Sequence, residues 1–112
     1  MVGLVRRGDI VTVAASGDYG KPRPAVVVQS DVLNQDAQST ILMLMTSHLH
    51  DAPLLRLTLE PTERSGLKVQ SQVQINRLLS LPVAKVGNVI GRLSEHELAE
   101  LDRLFAVVVG LA

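Results

Sequence analysis

The hydrophobic period of the sequence changes near residue 94, and this change limits the possible folds more than any other feature. Before it, short runs of apolar or alternating residues are separated by turn residues, as β-strands are. The runs lie at residues 9–14, 25–29, 40–45, 55–59, 69–75, 78–81, 83–86 and 89–93, with a loop at 15–24 and a helical turn at 31–35. If the runs on either side of Pro82 belong to one bent strand, these are about six or seven short strands. They predict a mainly β fold: a small barrel or a strongly bent sheet.

After the change, the sequence predicts one amphipathic C-terminal α-helix. Ser94 followed three residues later by Glu97 is a capping box, and Gly110 suits a C-terminal stop. One apolar stripe at helical spacing is formed by Leu98, Leu101, Leu104, Phe105 and Val108. We expect this stripe to cover one open side of the β structure.

Composition narrows the class of protein. The chain has 112 residues, which fits a single domain over residues 1–112, and 46% are hydrophobic, which disfavours intrinsic disorder. It has no cysteine, which excludes disulfides, a thiolate nucleophile and thiolate zinc sites. The sequence lacks a signal-peptide pattern, and no apolar run approaches the roughly 20 residues of a membrane span. We therefore expect a soluble, cytoplasmic protein without membrane contact.

The net charge of zero hides an uneven distribution. Residues 1–30 carry four basic and two acidic side chains, and residues 56–92 carry six basic and two acidic ones. The acidic excess lies in residues 31–55 and in the C-terminal helix. Because exposed charges more than roughly 10 Å apart are largely screened, a neutral total leaves room for a local anion site on the sheet.

Two segments carry candidate functional side chains. Lys21 and Arg23 end a loop, and the prolines around Arg23 restrict its backbone. A guanidinium held in this way suits bidentate contact with a phosphate, although a surface loop arginine beside structural prolines would look the same. Thr46 and Ser47 end an apolar strand, where hydroxyls either bond the local backbone or donate to a phosphate.

A metal or nucleotide site finds little support. His48 and His50 could share a strand face, but only Asp51 stands nearby and cysteine is absent, so we expect no metal. No glycine-rich phosphate motif leads from a strand into a helix, so we expect no nucleotide cofactor.

Several motifs in a fixed order resemble the MazF/PemK family of toxin–antitoxin ribonucleases, over nearly the whole chain. They are Arg7-Gly8-Asp9-Ile10-Val11, Lys21-Pro22-Arg23-Pro24-Ala25-Val26-Val27-Val28, Met45-Thr46-Ser47, Ser65-Gly66-Leu67, Ser71-Gln72-Val73 and Val86-Gly87 before the terminal helix.

The resemblance implies an SH3-like β-barrel of the CcdB/MazF type, acting as a homodimer. It implies a metal-independent, cofactor-free endoribonuclease that cuts single-stranded RNA at short sequences and is blocked by a cognate antitoxin. The catalytic pair would be Arg23 and Thr46. The RNA-binding residues would be Lys21, Ser47, Gln74, Asn76 and Arg77.

One strand departs from the family pattern. Where the family often has an acid, a glutamine and a later arginine, this chain has Asn76, Arg77 and Leu79. The departure bears on substrate sequence preference. It also leaves open an inactive SH3-like interaction module. A separate alternative is a non-catalytic, CcdB-like inhibitor of DNA gyrase, because CcdB-like toxins resemble this fold.

Overall fold

The structure is a computed structural model that describes residues 4–14, 21–35 and 38–112. It contains one six-stranded antiparallel sheet with the strand order β4-β5-β3-β2-β1-β6. The strands are β1 (Asp9–Ala14), β2 (Pro22–Val27), β3 (Ser39–Thr46), β4 (Arg56–Leu59), β5 (Ser71–Pro82) and β6 (Val89–Arg92). The helices are α1 (Asp31–Asn34) and α2 (Glu95–Val108). A mainly β, barrel-like fold with a C-terminal helix is therefore confirmed, although β4 and β6 do not pair to close the described sheet.

Three strand predictions need correction. The runs predicted at 69–75 and 78–81 form one strand, β5, over Ser71–Pro82. β2 starts at Pro22, so residues 22–24 are strand rather than loop, while residues 15–20 of the predicted loop lie outside the described residues. Both prolines are tolerated because the recorded pairing of β2 with β3 begins only at Ala25, leaving this part paired to β1 alone. The predicted strand at 83–86 is instead a 3₁₀ turn over Val83–Lys85, since β5 ends at Pro82.

The sheet is apolar on both faces, which explains the continuous apolar runs. One face packs against α2 and forms a cluster with Ile10, Val26, Met43, Met45, Leu59, Leu67, Val73, Ile75, Leu93, Leu101 and Leu104. The other face forms a second cluster with Val5, Val11, Val13, Ala25, Val27, Leu42 and Val86. Successive strand residues point to opposite faces, so one strand supplies both clusters.

Helix α2 is built as its sequence predicts. The Ser94 hydroxyl accepts from the Glu97 amide at 3.1 Å, and the Glu97 carboxylate accepts from the Ser94 amide at 2.8 Å. Leu101 and Leu104 are buried, and the rest of the stripe packs around them. The helix is closed at Gly110, whose φ of 82° favours glycine, while the Leu111 amide donates to the Ala106 carbonyl.

Asp31 should make the stability of the fold pH-dependent. The Arg7 amide donates to its carboxylate at 2.7 Å, and this bond holds the pKa of Asp31 below its usual 3.8, with Asn34 adding a smaller effect. A lowered pKa stabilises the fold above the usual value, and the gain is lost as the pH falls through the lowered pKa. Because Asp31 is exposed, we expect Asp31→Asn to cost only about 0.5 kcal/mol at neutral pH.

Urea unfolding of wild type and Asp31→Asn at pH 7 and about pH 2 would test this linkage. The difference in unfolding free energy should be present at pH 7 and smaller at the acidic pH, because the gain from the Asp31 carboxylate is lost as the pH falls through its lowered pKa. An equal difference at both pH values would contradict the charge-based explanation.

Candidate active site

A groove of about 590 Å³ opens where β2 begins and β3 ends, beside the segment between β4 and β5. Its lining comes from those two strand ends, from residues 66–69, and from side chains of β1, β5 and β6. The lining residues are Thr12, Pro22, Arg23, Pro24, Met45, Thr46, Ser47, Gly66, Leu67, Lys68, Val69, Ser71 and Ile90. The groove thus contains three of the seven predicted site residues: Arg23, Thr46 and Ser47.

Neighbouring strand ends bring Arg23 and Thr46 to one groove. β2 and β3 are antiparallel, with Ala25 opposite Leu44. Arg23 lies two residues before Ala25 and Thr46 two residues after Leu44, and both line the groove although they are far apart in the sequence. A guanidinium and a hydroxyl that line one groove can act on one bound group.

The Thr46 hydroxyl makes a local bond and still has a proton to give. Its oxygen accepts from the His48 amide at 3.1 Å, so the expected backbone role of a strand-end hydroxyl is present. A hydroxyl both accepts and donates, and its O–H can therefore point to a ligand while the oxygen is held. Thr46 is half-buried and the neighbouring Ser47 is exposed.

Residues 66–69 of the groove lining are held in place by a buried serine, Ser65. Ser65 is 4% exposed, and its hydroxyl donates to the Glu60 carbonyl at 2.8 Å and accepts from the Thr62 amide at 3.0 Å. The next residue, Gly66, has a φ of 66° and lies so close to β6 that a Cβ would be 1.9 Å from the Ile90 carbonyl oxygen. This close packing fixes where the following side chain, Lys68, meets the groove.

Charge among the described lining residues of the groove is of one sign. Arg23 and Lys68 are both basic, and none of the other described lining residues is charged. Met45, Leu67 and Ile90 add apolar surface. Such a site can bind an anion through its cations and hydroxyl donors, with a flat apolar group nearby. Sequence reasoning missed Lys68, although its place directly after the Ser65-Gly66-Leu67 motif was a usable signal.

The other predicted site residues lie outside the groove. Lys21 is exposed just before β2, and Asn76 and Arg77 are exposed on β5 where its register with β3 shifts. Gln74 is only 8% exposed, and its amide nitrogen lies 3.5 Å from the Leu44 carbonyl oxygen as a donor. None of these four residues lines the groove.

Two kinds of feature are absent from the described part of the chain. No three side chains of the His, Asp, Glu or Cys types come together there in a way that could hold a metal, and His48 and His50 belong to no such group. Neither of its helices is long and apolar enough to cross a membrane.

Comparison with known proteins assigns the fold and the family. Residues 6–109 match the PemK-like, MazF-like toxins of type II toxin–antitoxin systems. A probable endoribonuclease MazF of Mycolicibacterium smegmatis is 40% identical over 109 residues, covering 96% of this chain and 99% of that protein. Endoribonuclease MazF9 of Mycobacterium tuberculosis is 32% identical over 108 residues, covering 88% and 91%.

Solved structures agree with the fold. A mycobacterial endoribonuclease in complex with its cognate antitoxin superposes with a TM-score of 0.81 at 16% identity, covering 96% of this chain and 97% of that one. MazF in a MazE–MazF complex from Deinococcus radiodurans gives a TM-score of 0.79 at 20% identity, covering 98% and 99%. With the match over residues 6–109, these relationships show that the chain belongs to the PemK-like, MazF-like family of toxins from type II toxin–antitoxin systems.

Proposed function

We propose that the chain, acting as one domain over residues 1–112, is an endoribonuclease that cleaves single-stranded RNA in the groove described above. The observation that carries the proposal is that Arg23, at the start of β2, and Thr46, at the end of β3, line one groove together with Lys68. A scissile phosphate held there would meet two cations and a hydroxyl donor. A gyrase inhibitor or an inactive SH3-like module would need neither member of the pair.

The reaction uses a nucleophile that RNA itself provides. The 2′-oxygen forms a bond to the adjacent phosphorus while its proton leaves to a base, and the bond from phosphorus to the 5′-oxygen breaks. The 5′-oxygen takes up a proton, which leaves a 2′,3′-cyclic phosphate and a 5′-hydroxyl end. DNA lacks the 2′-hydroxyl and should be spared.

Four of the residues that line the groove have a role in the proposed reaction. Negative charge grows on the non-bridging oxygens as the phosphorus becomes five-coordinate, and the Arg23 guanidinium stabilises it. Arginine stays protonated far above neutral pH, so Arg23 acts through its charge rather than as the base. Thr46 donates its O–H to a non-bridging oxygen, and Lys68 and Ser47 hold the flanking backbone. The resemblance to the family keeps Lys21, Asn76 and Arg77, which are exposed, as outer RNA contacts, whereas Gln74 is buried.

A substrate with one altered sugar tests the reaction directly. Purified protein in EDTA should cleave an all-ribose RNA, and end analysis should find cyclic phosphate and 5′-hydroxyl termini. A matched RNA with a single 2′-deoxyribose at the mapped cut should remain intact at that position. Cleavage of the deoxy-substituted RNA at the same bond would contradict attack by the 2′-hydroxyl.

We further propose a homodimer that binds a cognate antitoxin in the cytoplasm, where RNA substrates are found. Relatives of the same fold have been solved with antitoxins, as in the mycobacterial and Deinococcus complexes. Apolar side chains that need cover support self-association: on α1, Val32 is 80% exposed and Leu33 is 62% exposed. Sedimentation equilibrium should give twice the chain mass, and a monomer at micromolar concentration would contradict the dimer.

A further inference from the structure

A buried glutamine stands beside the proposed catalytic threonine. On the side of β3 away from Arg23, Thr46 pairs with Gln72 of β5, and Gln72 pairs in turn with Thr58 of β4. Gln72 is 6% exposed and does not line the groove. Burying a polar amide in a central strand costs free energy unless it is fully bonded, so its partners indicate what it is for.

The Gln72 amide is bonded through both of its heavy atoms. Its oxygen accepts from the His50 amide at 3.0 Å and from Nη1 of Arg56 at 3.0 Å. Its nitrogen donates to the His50 carbonyl at 3.1 Å and to the Thr58 hydroxyl at 3.2 Å. Two of these four bonds hold the backbone of the loop that follows Thr46.

Arg56 holds the same loop at a second point. Its Nη1 also donates to the His48 carbonyl at 3.2 Å, so one guanidinium nitrogen connects Gln72 to His48. The His48 amide, in turn, donates to the Thr46 hydroxyl. A continuous path of hydrogen bonds therefore runs from Arg56 and Gln72, through the backbone of residues 48–50, to the oxygen of Thr46.

We propose that Arg56 and Gln72 are positioning residues that orient the Thr46 hydroxyl by holding the backbone of residues 48–50. The inference rests on the proposed function, because it assumes that Thr46 acts on the scissile phosphate. Loss of the Arg56 bonds would let the loop move and release the His48 amide from the Thr46 oxygen. Displacing a reacting group by about 1 Å can cost on the order of 100-fold in rate.

A double-mutant cycle tests the path. Arg56 is the better site because it is half-buried, whereas a substitution at Gln72 would put an unbonded group in the core. We expect Arg56→Ala to lower kcat by about 10- to 100-fold, with KM within about 3-fold and only a small loss of Tm from the bond that Gln72 loses. In a Thr46→Ala background the same change should cost less than about 2-fold, because its effect passes through the lost hydroxyl.

Two further variants separate positioning from general support. Thr58→Val removes a Gln72 bond on the side away from the loop and should leave kcat unchanged. Arg56→Lys keeps a donor and should recover part of the lost kcat. Equal costs of Arg56→Ala in the wild-type and Thr46→Ala backgrounds, or a loss of Tm that parallels the loss of kcat, would overturn the inference.

The cycle also separates this inference from the proposed function. An impaired Thr46→Ala beside a fully active Arg56→Ala would overturn the positioning role alone. A fully active Thr46→Ala would overturn the role of Thr46 in the proposed reaction, and the inference with it.

Discussion

Arg23→Ala should cleave RNA about 100- to 1,000-fold more slowly than the wild type, since removing one preorganised donor from a developing oxyanion has a cost of this size. Arg23 is exposed at the start of β2, in a segment whose shape is set by its flanking prolines and its pairing with β1. Urea unfolding of the variant beside the wild type separates a change in stability from the change in cleavage rate. Single-turnover cleavage of a short labelled RNA measures the rate.

Two matched variants show whether the cleavage rate depends on the geometry of the Arg23 guanidinium or on its charge alone. Arg23→Lys keeps the charge but cannot make two parallel hydrogen bonds, so its rate should fall between those of the wild type and Arg23→Ala. Arg103→Ala removes a cation that pairs with Glu100 on α2, outside the groove, and should cleave at the wild-type rate. Equal rates for Arg23→Ala and the wild type would remove Arg23 from the reaction.

Gly66→Ala should cost at least about 3 kcal/mol of unfolding free energy, because strain and a backbone clash act together. The new Cβ would lie 1.9 Å from the Ile90 carbonyl oxygen and 2.7 Å from its carbon, and both atoms belong to β6. To relieve the clash, residues 66–69 of the groove lining would have to move away from β6. Thermal unfolding should show a loss of roughly 10 °C or more in Tm.

Gly110→Ala is the control that separates the backbone strain of a positive φ from the steric clash with Ile90. Gly110 also has a positive φ, of 82°, but nothing lies within 4 Å of where its Cβ would be. It should therefore cost only about 1 kcal/mol. Similar losses at the two glycines would mean that the contact with Ile90 does not restrict residue 66.

Helix α2 could be predicted almost completely because its determinants are local. The capping box joins Ser94 to Glu97, and the buried Leu101 and Leu104 follow from the helical period. Strand β1 was predicted to the residue for the same reason. The start of β2 was missed because proline argues against a central strand, and only the pairing shows that this part of β2 is not yet central.

The site could be predicted only in part. Arg23 and Thr46 were identified from motifs, and the structure puts both in one groove. Lys68 was missed although it directly follows the Ser65-Gly66-Leu67 motif, whereas Gln72 carried no local signal, because its role depends on neighbours from other elements. The alternating pattern of residues 69–75 separates two faces, but it could not reveal that Ser71 to Ile75 are buried on both.

The sequence by itself determined the strand-rich order, the terminal helix and the segregation of charge behind a net charge of zero. These features depend on residues within a few positions of one another, where period, capping and charge act directly. Only the tertiary structure decided which side chains meet. Strand pairing and chain folding bring side chains from distant parts of the sequence together, so that Arg23, Thr46 and Lys68 line one groove and Arg56 bonds the loop behind the threonine.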